Sequence, residues 1–480
     1  MENSVIGSAM SKLDSLVSLI HSLSKSEKKK ISTMLGDGKS DYIYLFKIID
    51  REQFSDIAEI KKQFAKRKPN AALNITVNYL FDTLLNILTT LRSEQDSYYS
   101  LFNMLLQAKV LYEKSIYKEC FAYINKVKTE AAHYGNFAIL FIAQKIEMEY
   151  LLTLDFPGIT ETELLSKQFE IRDTLNKIRK VNEHTFLFEL LRHRVLYKKQ
   201  KQNFNDLIVS EISIVSNSEF NNFEIEKNHK LFQSNYLMHI GDYKSALNSL
   251  YELNNVFEKN MHLLSNPPFY YLSTIEGVLE SLRTVRNYEG MNYFVEKLSA
   301  IKTSSNNFKI HVLCAVFLYK LFPLIDTARF AEAKELLAEY KESLFDKSSA
   351  LVLARYFKLM LYEAIIYFGN KEYEKAKKKF FKIFYSGKNS ISMPHYKAAR
   401  LLYLMSLYEL NELDDIDIEI NSIRRDYGKN IYPIERTVIK FIKSGRLDKS
   451  AMQSRVDLQL LRIFDFNMWM AEHFNQYTET

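Results

Sequence analysis

The sequence predicts an all-α fold, an α-solenoid of helix hairpins with a period of about 42 residues and a helical N-terminal cap. Three observations lead there. Turn formers are scarce: 12 Gly and 7 Pro in 480 residues, about 4% against a usual ~12%. That is too few for a sandwich or barrel that turns every ten residues or so. Six of the seven prolines stand before or at the start of a helically patterned stretch, and one apolar pattern recurs at a near-constant interval.

Pro69, Pro157, Pro267, Pro268, Pro394 and Pro433 mark helix starts, where a missing N–H leaves nothing unsatisfied. Pro323 alone falls late within a helical stretch and predicts a kink or a helix end there. Ser24-Lys25-Ser26-Glu27 and Thr160-Glu161-Thr162-Glu163 each place a hydroxyl three residues before a glutamate, the capping box that satisfies two orphan donors at a helix start.

The first ninety residues read as five helices. Leu13, Leu16, Val17 and Ile20 share one face, a basic helix spans Lys25 to Leu35, and Gly36-Asp37-Gly38 turns the chain. Helical segments follow at about Tyr42 to Asp50, Ile57 to Lys66 and Ala71 to Leu91. The last carries Leu73, Val77, Leu80, Leu84, Leu88 and Leu91 at helical spacing. Residues 1–92 are expected to cap the array, since terminal repeats are atypical; residues 93–430 form the repeats and 431–480 the C-terminal capping helices.

Within 93–430 a large apolar residue is followed by apolar or small ones at +3, +7 and +10, all on one helical face. Tyr117, Tyr243, Tyr288, Phe330, Tyr373 and Leu413 begin such sets; Tyr373, for example, leads Ala376, Phe380 and Ile383. From the weaker start at Phe204, which has Glu211 at +7, the intervals are 39, 45, 42, 43 and 40 residues, and 117 to 204 is 87, about twice the period. Near 160 the register slips, with Leu164, Ile171, Leu175 and Ile178 as the apolar face, and an insertion after Pro157-Gly158 would explain it. Each set follows another apolar-periodic stretch, so the unit is a hairpin that buries its second face only by stacking on a neighbour.

Gly-Asp-Tyr-Lys-Ser-Ala at 241–246, Arg-Phe-Ala-Glu-Ala at 329–333 and Asn-Lys-Glu-Tyr-Glu-Lys-Ala at 370–376 resemble the second-helix opening of tetratricopeptide repeats. The period exceeds that family's 34 residues, and its first-helix Trp and Leu-Gly signature is missing. The resemblance implies a concave surface that receives a peptide or protein, and no chemistry. The run Ser22 to Lys30, followed by Tyr44-Leu45-Phe46, is also similar to the start of a set of uncharacterised bacterial helical-repeat proteins, which implies no activity.

Sixty-five Lys and Arg against 58 acids give a formal +7, too mild over this length to imply a nucleic-acid protein by itself. Cys120 and Cys314 provide neither a disulfide framework nor metal spacing. The opening residues lack the pattern of a signal peptide. Val312 to Ile325, with Lys320 and Pro323 inside it, is shorter than the ~20 residues a membrane span needs. A cytoplasmic protein without membrane insertion is expected.

Lys28, Lys29 and Lys30, with Lys61, Lys62, Lys66, Arg67 and Lys68, form a candidate patch for anions or nucleic acid; the alternative is a solvated helix face. The same two readings hold for Arg192, Arg194, Lys198, Lys199 and Lys201. Lys375, Lys377, Lys378 and Lys379 interleave with Glu372 and Glu374, as i,i+4 pairs on a solvent face would. The acidic stretch Glu409, Glu412, Asp414, Asp415, Asp417 and Glu419 lacks the glycine and spacing of a calcium loop, and reads as the outer face of a repeat helix. Glu189 and His193 stand at i,i+4 without the further ligands a metal needs. His133, His239, His311 and His395 are scattered singly. Phe380-Phe381 and Phe269-Tyr270-Tyr271 are expected in the core.

No phosphate-loop, dinucleotide, nucleophile-elbow or zinc-protease motif occurs, and glycine is too rare to build a phosphate cradle. The sequence therefore predicts no catalytic residue, cofactor or metal. It predicts a scaffold that binds a protein or peptide partner in a groove lined by first helices, with Asn235 and Tyr319 among the polar candidates. The alternative is a regulator whose basic N-terminal region binds nucleic acid while its repeats sense a peptide.

Overall fold

The structure, a computed structural model, is all-helical, with no strand among the described residues. Those residues are 11–36, 40–51, 57–69, 71–93, 96–197, 205–216, 222–264, 267–303, 305–386, 393–428, 431–445 and 458–478. Asp37 and Gly38 of the expected turn, Phe204, and Lys198, Lys199 and Lys201 lie outside them. The chain divides into two compact units. One comprises Met1–Tyr236, Glu252–Phe269 and Thr303–Asn306; the other comprises Leu237–Tyr251, Tyr270–Lys302 and Asn307–Thr480.

The first unit opens with α1 (Lys12–Ser22), α2 (Lys25–Leu35), α3 (Asp41–Arg51), α4 (Ile57–Arg67) and α5 (Leu73–Ser93). These are the five helices that capping residues and periodicity foretold. Ser24 and Glu27 close the capping box at α2, with Ser24 N–H donating to Glu27 at 2.8 Å. Leu16, Ile20, Ile31, Leu45, Phe64, Leu80 and Leu84 share one core, and α5 packs against each of α1 to α4. Then come α6 (Ser97–Glu113), α7 (Tyr117–His133), α8 (Phe137–Thr153), α9 (Glu161–Tyr197) and α10 (Asn205–Ser216), each of α6 to α9 packed on the next and α10 on α9.

Where the register slips near 160 the chain forms α9. It is one helix of 37 residues, opened by the Thr160–Glu163 capping box. No Gly or Pro interrupts residues 159–197, so no breaker ends the helix before Tyr197. The defect at Glu211 is explained by its partners. Its side chain is buried, held at 2.6 Å by His229 Nδ1 and at 3.8 Å by His184 Nδ1. Burial pushes its carboxyl up, but the hydrogen bond with His229 and the nearby His184 imidazole outweigh burial and hold it below the usual carboxylate range.

Four helices contribute to both units: α11 (Phe223–Ile240) and α12 (Tyr243–Lys259) are divided between them, and the helices that begin at Phe269 and at Asn306 each have only their first residue in the first unit. The second unit continues with α13 (Phe269–Thr284), whose first residue falls in the other unit, then α14 (Tyr288–Ser299), α15 (Asn306–Asp326), α16 (Phe330–Glu339), α17 (Leu353–Gly369), α18 (Tyr373–Ser386), α19 (Met393–Glu409), α20 (Leu413–Tyr427), α21 (Pro433–Ser444), α22 (Leu458–Leu461) and α23 (Phe466–Thr478). Helix α15 has Pro323 in its last turn, where the chain stops being helical three residues later. It is the one described helix long and apolar enough to cross a membrane, and 67% of its apolar window is buried inside the protein.

Tyr117, Tyr243, Tyr288, Phe330, Tyr373 and Leu413 are each the first residue of a helix. Their +3, +7 and +10 partners are buried without exception. The leading residues themselves are not: Leu413 is 68% and Tyr117 37% exposed, and the other four are half-buried. A side chain at a helix's first position points back along the axis, over the turn rather than into the interface.

One turn precedes all six helices. Two residues before the leading residue the backbone is left-handed, at Ser115, Gly241, Arg286, Ala328, Lys371 and Asn411, with φ between 54° and 83°. In the next residue the N–H donates to the carbonyl five positions back, as Glu372 does to Tyr367 at 2.9 Å and Arg329 to Leu324 at 2.8 Å. This satisfies a helix-end carbonyl. Glycine occupies only one of these six positions, which is why scarcity of glycine did not preclude so many turns.

Candidate functional site

The basic residues of the N-terminal helices do not merge into one patch. Lys28, on α2, pairs with Asp50 near the end of α3 at 2.7 Å, and Lys68, just past α4, pairs with Asp41 at the start of α3 at 2.7 Å. Nine residues of helix separate these two aspartates, about 14 Å at 1.5 Å per residue. Lys62 stands 3.9 Å from Glu59, and the Arg67 guanidinium lies 5.3 Å from the centre of the Tyr44 ring. Lys29, Lys30, Lys61 and Lys66 are exposed. The folded chain thus holds two small groups of cations, partly neutralised, at opposite ends of α3.

The other charge runs are also absorbed by neighbours. Arg194 makes a bidentate bridge to Asp206 at 2.8 and 2.9 Å, and Arg192 donates to Asn235 Oδ1 at 2.9 Å. On α18, Lys375 and Lys377 pair with glutamates three residues earlier rather than four; Lys377 also reaches Glu412, and Lys379 reaches Glu363. Of the acidic stretch, Asp417 bridges to Lys443 and Glu419 to Arg400. Glu189 and His193 are exposed on α9, and among the described residues no group of three or more His, Cys, Asp and Glu is placed to hold a metal ion.

The two aromatic runs are divided by helix geometry. Phe380 and Tyr271 are buried, whereas Phe381 is 46%, Phe269 44% and Tyr270 50% exposed. A rotation of 100° per residue cannot keep consecutive side chains on one face. The two expected groove residues are engaged internally: Tyr319 is buried and its hydroxyl donates to the Glu276 carbonyl at 2.9 Å, and Asn235 Nδ2 donates to the Leu231 carbonyl at 2.8 Å.

A polar network that single-residue inspection missed runs across α13, α15 and α17 in the second unit. Arg355 grips both carboxylate oxygens of Glu276, with Nη1 to Oε1 at 2.7 Å. Two turns further along α13, buried Arg283 binds both oxygens of Asp326 at 2.9 and 2.6 Å, and its guanidinium lies 3.9 Å from the centre of the Phe322 ring. Lys358 reaches the same ring at 5.6 Å. Burial, then the charges of Lys358 and Arg283, push the His395 imidazole down to about 3; burial and Arg355 push His311 down to about 4. Both are neutral at physiological pH. The residues joined across α13 and α15 are 43 apart in sequence, so the network repeats at nearly the interval of the helix pairs. Bidentate arginine pairs are rigid and charge-assisted, which fixes the first helices in register and presents no nucleophile with its activating base.

Neither the family models, the curated proteins nor the solved structures contain a match to this chain.

Proposed function

We propose that the chain is a non-enzymatic scaffold that binds a segment of a protein partner along its first helices. On this reading the helix pairs stack as a tetratricopeptide-like α-solenoid with a period of about 42 residues, residues 1–92 cap it, and it works in the cytoplasm. The observation that carries the proposal is the single turn geometry recurring before six helices whose inward positions are all buried. A chain that repeats one supersecondary unit generates an extended surface from its neighbours. Exposed Tyr270, Val352, Leu353 and Met393, at the N-terminal ends of α13, α17 and α19, supply apolar contact area on three of these helices.

The test is a photo-crosslinking residue placed in the full-length chain at Leu353 or Met393, with exposed Val209 on α10 and Ile418 on α20 as controls. The expected result is a discrete adduct with another polypeptide from the first pair alone. Equal labelling from both pairs, or none from the first, would overturn the proposal. A nucleic-acid-binding N-terminal region has less support, because Lys28 and Lys68 are already paired with Asp50 and Asp41.

A further inference from the structure

The C-terminal ends of the first helices in the second unit carry Thr284, Asp326, Phe368 and Glu409. The chain's own C-terminal segment runs past this row in order. Arg283 Nη2, oriented by Asp326, donates to the Arg462 carbonyl at 2.6 Å. Arg462 donates in return to the Thr284 hydroxyl; its guanidinium lies 4.0 Å from the centre of the Tyr243 ring and 4.0 Å from a Glu280 oxygen. Two residues on, Phe464 meets the Phe368 ring edge-on at 5.6 Å. Further along, Trp469 Nε1 donates to Glu409 Oε1 at 2.6 Å, and His473 Nε2 stands 2.9 Å from the same oxygen. Leu460, Ile463, Phe464, Phe466, Trp469 and Met470 are buried.

An end cap that served only to cover apolar surface would need none of these charged contacts. Here an arginine and a tryptophan, the residues that most often dominate separable interfaces, each dock against a carboxylate and an aromatic ring held by the repeats. Mixed polar and apolar contacts of this kind resemble exchangeable interfaces more than a permanent core. We infer that the row of first-helix C-terminal ends is a docking surface for a partner segment, and that residues 460–473 occupy it as an internal substitute. The partner segment carries the same chemistry: an arginine, then aromatic residues two, four and seven positions later. This inference rests on the scaffold reading and adds a second contact, at the ends of the first helices opposite Leu353 and Met393.

The experiment uses the full chain and a fluorescein-labelled synthetic peptide of residues 458–478. Arg462→Ala combined with Trp469→Ala in the chain should weaken the internal segment and raise peptide affinity by at least ~10-fold over the unaltered chain, since each ~1.4 kcal/mol lost from the competitor is a factor of ten. A peptide with alanine at the same two positions should not bind. Unchanged or absent binding by a variant of undiminished helical circular dichroism would overturn the inference. Amide exchange in the unaltered chain keeps it falsifiable if the variant fails to fold: residues 460–473 should open well before α17, and exchange of both only through one common unfolding would overturn it. Loss of this inference alongside retained crosslinks at Leu353 and Met393 would leave the scaffold reading standing.

Discussion

Gly369 is the last residue of α17, and the ring of Phe330, the first residue of α16, lies against it. A Cβ added there would fall among the ring atoms: Cγ and Cδ1 would be closest, and even Cε1 would be only 2.5 Å away, far inside van der Waals contact. The Asn370 amide also donates to the Phe330 carbonyl at 2.8 Å, so the backbone cannot simply retreat. Gly369→Ala would ordinarily gain up to about 1 kcal/mol in a helix. Here the ring must swing out, at an overpacking cost of about 1–3 kcal/mol, and net destabilisation is expected. In a Phe330→Ala background the space is empty and the same substitution should be neutral or stabilising. The double-mutant cycle should therefore show a coupling of at least about 1 kcal/mol. Trp469 is the sole tryptophan and packs on Tyr408 and Phe441 within the second unit, so its fluorescence in a urea titration reports that unit. Additive effects of the two substitutions would show that the ring does not sit on Gly369, and the packing of α16 on α17 described above would be wrong.

Burial at the +7 position should outweigh the leading residue: Phe380→Ala is expected to cost about 3–5 kcal/mol, and Leu413→Ala, 68% exposed, less than about 0.5 kcal/mol, in the same titration. Ala328 and Lys371 adopt left-handed backbone at φ 57° and 61°, so Ala328→Gly or Lys371→Gly should stabilise by about 0.5–1 kcal/mol, the relief of strain exceeding glycine's extra chain entropy. The hydrogen bond to Glu409 raises the His473 imidazole above its ordinary 6.5. The stability it contributes is fully present below that value and is lost as pH rises through the higher folded one; His473→Gln should flatten the loss seen in unfolding midpoints as pH rises above 6.5. Burial pushes the Cys314 thiol up to about 12 and raises that of Cys120, so neither should react with a thiol reagent until the chain is unfolded, and rapid native labelling would contradict their placement.

Most helix boundaries were legible because their causes are local. Ser24 and Glu27, Thr160 and Glu163, and the prolines act within a few residues of the boundary they set, and the +3/+7/+10 pattern reports one helix's own buried stripe. Glu211 was legible only as a defect, since the histidines that hold it lie 18 and 27 residues away on other helices. Phe381 and Tyr270 were misplaced into the core because residue type alone does not say which side of a helix a side chain takes. The polar network of Glu276, Arg283, Asp326 and Arg355 left no local mark at all: each residue is an ordinary charge on an amphipathic helix until its partner about 43 or 79 residues distant is known.

From its amino acids alone this chain is committed to long helices, to where most begin, and to which positions in each are apolar, because hydrogen bonding along the backbone and side-chain periodicity operate over one or two turns. Tertiary structure decided that charges cross between first helices in bidentate pairs, and that residues 460–473 return to cover helices ending nearly two hundred positions earlier. Those outcomes depend on which surfaces meet, and desolvation and pairing of charge at such meetings are settled only when distant segments are brought together.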